Sequence, residues 1–92
     1  MRKGIFIMVE YHLIMCRSLT YAQRASYTLE RSGVRVNLVK VPQSVSETGC
    51  SYGVRIPSRY LRKSIELLRE KNVPFGKVFR YLSDGALEEV EV

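Results

Sequence analysis

Cysteine, histidine, glycine and proline are all scarce in this chain of 92 residues, and each shortage excludes a class of protein. Two cysteines without a CxxC spacing build neither a disulfide framework nor a four-cysteine zinc site within one chain. The single histidine, His12, argues against a histidine-rich metal centre, so neither a metal nor a cofactor is expected. Six Gly and three Pro are too few for a linker or a collagen-like chain. No apolar run approaches the roughly 20 residues of a membrane span. The basic start Met1-Arg2-Lys3 and the run Ile5 to Val9 imitate a signal peptide, but Glu10 and His12 interrupt it and no small-residue cleavage site follows. A cytoplasmic protein is therefore expected. GxGxxG, P-loop, HExxH and nucleophile-elbow patterns are absent, and the one close carboxylate pair is Glu88-Glu89. No stand-alone enzyme site is visible.

Hydrophobic residues at 46% and charged residues at 26% describe an ordinary folded domain. The charge is unevenly placed. Residues 84–92 carry Asp84, Glu88, Glu89 and Glu91 without a base, which leaves residues 1–83 with fifteen bases, five acids and a charge of +10. The expected organisation is one domain over 1–83, followed by an acidic C-terminal tail over 84–92 that reads as a frayed, solubilising end, with shielding of the basic body in cis as the alternative. Met8 is an alternative start, which would make 1–7 an N-terminal extension.

Residues 5–15 alternate, with Val9, Tyr11, Leu13 and Met15 on one face and Glu10 and His12 on the other, as in a strand with one buried face. Ser18 and Thr20 are helix-start residues, Thr20-x-x-Gln23 has the form of a capping box, and Gly33 suits a left-handed cap. Residues 34–41 alternate as a second strand, the polar stretch 42–49 reads as a loop, and Tyr52, Val54 and Ile56 mark a third strand. Pro57-Ser58 opens a second helix with Leu61, Ile65 and Leu68 on one stripe, and residues 77–82 form a fourth strand. The order β-α-β-β-α-β, with two similar halves, predicts an α+β ferredoxin-like split βαβ sandwich. Its antiparallel sheet would run 4-1-3-2, with both helices on one face.

That order sets the end of the first strand beside the start of the third. Cys16 and Cys50 would then approach each other, next to Arg17 and the first helix's N-terminus at Ser18. The helix dipole and Arg17 favour a thiolate, and Gly49 in the 42–49 loop leaves backbone open to a small ligand. An accessible thiolate suits sulfur transfer, selenium transfer or thiol–disulfide exchange. A lone cysteine on a strand is more often a small buried hydrophobe, and two approaching cysteines are also candidates for a regulatory disulfide.

Ser18-Leu19-Thr20-Tyr21-Ala22, then Val41 to Ser46 (VPQSVS), then Cys50 resemble the small bacterial family of Se/S carrier-like proteins, over about Val9 to Leu82. Gln43 stands where that family tends to have Arg, Ser51 where Gly follows the cysteine, and the run from Ser46 to Cys50 is one residue longer. The resemblance implies that Cys50 is the carrier thiol and that Pro42 and Ser46 shape its loop. It assigns Cys16 no role, which leaves Cys16 a partner thiol only by position. It further implies a protein partner that donates or accepts sulfur or selenium.

Two other readings stand beside this one. A small sandwich with an open sheet face also serves as a ligand-binding, protein-binding or homodimerisation module. Six Tyr and three Phe among fifteen basic residues suggest nucleic acid, but the RNP1 signature is missing and Tyr52 alternates with core residues, so that reading ranks last. Arg59, Arg62, Lys63 and Arg69 read as a solvated helix face. His12 reads as a surface histidine.

Overall fold

A computed structural model of the protein describes residues 10–41 and 52–92. They form β1 (Tyr11–Cys16), α1 (Leu19–Arg31), β2 (Asn37–Lys40), β3 (Tyr52–Pro57), a 3-10 turn (Ser58–Tyr60), α2 (Leu61–Glu70), β4 (Val78–Tyr81) and β5 (Leu87–Val90). The fold is α+β, with two helices and a five-stranded antiparallel sheet. Pro42, Ser46, Gly49, Cys50 and the expected extension 1–7 lie outside the described residues.

Both helices begin and end for local reasons. The Ser18 hydroxyl accepts from the Tyr21 backbone N–H at 3.4 Å and caps α1, two residues before the expected capping box. Gly33 (φ +87°) closes α1 in the left-handed region, its N–H donating to Glu30 and that of Val34 to Leu29, both at 3.0 Å. Asn72 (φ +57°) closes α2 in the same way, with the Val73 N–H on the Leu68 carbonyl at 2.8 Å. Ala22, Ala25 and Leu29 of α1, and Ile65 and Leu68 of α2, bury one stripe each. These residues join Ile14, Cys16, Val54, Ile56 and Val78 in one cluster, so both helices cover the same sheet face.

The strand order β2-β3-β1-β4-β5 differs from the expected 4-1-3-2. The difference is the fifth strand. Leu87–Val90, read from the sequence as part of an acidic tail, pairs with β4 from Tyr81↔Leu87 to Val78↔Val90. Without it, the outer edge of β4 would present a row of unpaired backbone groups. The turn that returns the chain is local: Gly85 sits at φ +88°, Leu82 and Ala86 are bonded at 2.8 Å, and the Asp84 carboxylate accepts from the Ala86 N–H at 2.9 Å. Register then sets acids against bases. Glu88 pairs with Arg80, and Glu89 lies 3.7 Å from Lys77.

The expectation of one buried face on β1 is also corrected. His12 to Cys16 are all buried, because Leu13 and Met15 join Val41 and Phe79 in a second cluster on the face away from the helices. A strand covered on both sides loses the alternation that marks a half-buried one. Gly53 is demanded by this centre. A Cβ there would stand 2.8 Å from the Ile14 carbonyl oxygen and 2.9 Å from the Leu13 side chain.

Candidate functional site

β1 ends at Cys16, and antiparallel register sets Cys16 directly opposite Tyr52, the first residue of β3. The neighbouring strand segment holds the same end, with the Gly76 N–H on the Met15 carbonyl at 2.7 Å and the Met15 N–H on the Lys77 carbonyl at 2.9 Å. Alternation turns the Cys16 side chain towards the helices. It is 1% exposed, packed in the main cluster, with Sγ 3.9 Å from the Ile14 carbonyl oxygen. A thiol so enclosed packs as a small apolar side chain.

The chain then turns through Arg17 and Ser18 into α1. Arg17 is exposed, and no acid occupies the first turn of α1, so the positive helix end and a guanidinium share one edge of the sheet. Ser18 spends its hydroxyl on the cap. The sequence-predicted set is therefore divided. Cys16, Arg17 and Ser18 are neighbours at one sheet end, while Cys50, Pro42, Ser46 and Gly49 fall outside the described residues.

The opposite end of β1 holds a pair that the sequence reading missed. His12 is 9% exposed rather than on the surface, and its Nδ1 lies 2.7 Å from the Ser58 hydroxyl. Burial lowers the His12 pKa below 6.5, Arg80 lowers it further, and Glu10 acts the other way. The missed signal was register. His12 stands opposite Ile56, so the residue two beyond Ile56 falls within reach of its ring. His12 serves no base role for Cys16, since four residues of strand separate them by about 13 Å.

On the face away from the helices, the Arg55 guanidinium lies 4.7 Å from the centre of the Tyr11 ring, and its Nε is buried without a hydrogen-bond partner. Burial raises the Tyr81 pKa above 10, and the Arg55 charge offsets part of that. Tyr52 packs on the helix side, as its alternation with Val54 and Ile56 indicates. The basic residues of α2 are partly engaged. Lys63 donates to the Ser32 carbonyl at the end of α1 (3.0 Å), and Arg69 donates to the Val92 carbonyl (3.2 Å). Among the described residues no group of three His, Cys, Asp or Glu is placed to hold a metal ion, and no helix is long and apolar enough to cross a membrane.

Compared with known proteins, residues 11–80 match the family described as "Putative Se/S carrier protein-like". No curated protein and no solved structure matches. The matched stretch runs from the first residue of β1 into β4 and leaves β5 outside.

Proposed function

Because the chain belongs to the Se/S carrier protein-like family, we propose that it carries sulfur or selenium on Cys50 between a donor protein and an acceptor protein. Family membership is the observation that carries this reading. The burial of Cys16 supports it: of the chain's two cysteines, one is enclosed in the core. Arg17 and the acid-free N-terminus of α1 lie at the sheet end where Cys16 pairs with Tyr52, and a guanidinium and a positive helix end are groups that favour a thiolate. The β4-β1-β3-β2 portion of the sheet, with both helices on one face, we read as a ferredoxin-like frame. The chemistry needs a reducing compartment, in keeping with a cytoplasmic protein.

In the transfer, the Cys50 thiolate attacks the terminal sulfur of a donor persulfide. The donor S–S bond breaks, a new S–S bond forms on Cys50, and the donor leaves as a thiolate. An acceptor thiolate then attacks the terminal sulfur and regenerates the Cys50 thiolate. Electrons balance without an external oxidant, and selenium follows the same path as a selenosulfide.

The test is alkylation rate against pH with site assignment by mass spectrometry, followed by loading from a low-molecular-weight persulfide. Expected are a Cys50 pKa below the roughly 8.5 of a free thiol and a mass gain of one sulfur atom at Cys50. Loading should vanish in Cys50→Ser and persist in Cys16→Ser. A Cys50 thiol that reacts only after unfolding would remove the carrier reading and leave a non-catalytic binding module.

A further inference from the structure

A second feature lies along α2. Between this helix and the end of β5 runs an open groove of about 520 Å³. One wall, α2 with the 3-10 turn before it, carries Arg59, Arg62 and Arg69 against one acid, Glu66, and Leu61 and Ile65 supply apolar lining. The far wall is Glu91 and Val92, which continue the chain past the last paired residue of β5. The sequence reading treated these arginines as a solvated face.

We propose that this groove docks an extended acidic segment of a partner protein. Charge complementarity selects the class. Three guanidinium groups present planar forks that match carboxylates, and set against the two acids of the groove, Glu66 and Glu91, they leave it one positive charge in excess. The chain supplies its own precedent, since Arg69 reaches an extended segment and donates to the Val92 carbonyl at 3.2 Å. Arg59 and Arg69 are steadied from behind by the rings of Tyr60 (5.0 Å) and Phe75 (5.9 Å). Half-buried Leu61, backed by the buried Ile65, accepts an apolar side chain that alternates with acids in an extended strand. The open shape suits a length of peptide better than a small ion, which needs donors converging from several sides. Residues 87–92 of the chain have this mixed acidic and apolar character, so Glu91 acts as a weak competitor in cis.

The experiment titrates the full-length protein into a fluorescein-labelled peptide with the sequence of residues 88–92 and reads fluorescence anisotropy. Saturable binding is expected. Arg62→Glu should weaken it about tenfold and Arg62→Gln by less, while Glu91→Gln should tighten it about twofold, as expected for charges that steer association. Circular dichroism of each variant shows whether its fold is kept, and Arg62→Gln serves if Arg62→Glu unfolds. A peptide with Gln at each Glu should fail to bind, and a single-stranded oligonucleotide should fail to displace the acidic peptide. Binding that is non-saturable, indifferent to Arg62, equal for the Gln peptide or lost to the oligonucleotide would overturn the proposal. Cys50→Ser should bind as well as the parent, so this result and the carrier result stand or fall separately.

Discussion

The two halves of the molecule, β1-α1-β2 and β3-α2-β4, solve the same problem with different chemistry. Both helices end in a left-handed residue followed by a buried valine, Gly33-Val34 in the first and Asn72-Val73 in the second. Their beginnings differ. Ser18 turns its hydroxyl onto the α1 backbone, whereas Ser58 gives its hydroxyl to His12, and α2 is entered through a 3-10 turn without a side-chain cap. Their outer strands differ as well. Among the described residues β2 is an edge, with Asn37, Leu38 and Lys40 exposed, while β4 is covered by β5 and buries Val78 and Phe79. The lesson is that a repeated pattern sets the elements, and the neighbour each half acquires sets what its polar groups do.

The strongest way to break this arrangement lies where the halves meet. Gly53→Ala places a methyl against the Ile14 carbonyl and the Leu13 side chain, so β1 and β3 must separate. A loss of about 3 kcal/mol is expected, the upper part of the usual range for overpacking, read from the urea midpoint.

The serine contrast gives the next test. Ser58→Ala leaves the buried Nδ1 of His12 without its partner and should lose about 2 kcal/mol. Ser18→Ala removes one cap and should lose about 1 kcal/mol. Only the His12 side of the contrast should depend on pH. Its folded-state pKa is lowered, so above pH 6.5 the ring is neutral in both states and adds no proton-linked penalty. Below 6.5 the unfolded chain takes up the proton first, and stability falls with pH until the folded ring also titrates. His12→Gln should remove that part of the slope, and an unchanged slope would show that His12 is not its source.

The smallest effects sharpen the comparison of the helix ends. At Gly33 a Cβ meets nothing within 4 Å, so Gly33→Ala should lose only the left-handed backbone cost, about 1 kcal/mol. Asn72→Gly should be neutral or gain about 0.5 kcal/mol, since Asn already tolerates this region. A lowered melting temperature for Gly33→Ala beside an unchanged or slightly raised one for Asn72→Gly would confirm that both closures rest on the left-handed backbone. A large loss at Asn72 would show that its side chain matters.

Much of the frame was legible in the residues. The stripe Ala22, Ala25, Leu29 and the left-handed Gly33 are local signals, and the structure repeats them. The alternation of Tyr52, Val54 and Ile56 correctly turned Tyr52 towards the helices. The candidate site was legible only in part. Register brings the end of β1 to the start of β3, as the topology implied, but alternation also turns Cys16 inward and encloses it. His12 was misread because a polar residue on a strand carries no mark of a partner 46 positions away.

By itself the sequence determined which segments form the two helices and the first four strands, to within a few residues at their ends, because capping, left-handed closure and side-chain period act locally. Tertiary structure alone decided that β1 is covered on both faces, that Gly53 must lack a side chain, and that the acids of 87–90 form a strand. Each of these depends on which surface meets which. A hydrophobic period states the face a residue is on, and only the assembled sheet states what lies against that face.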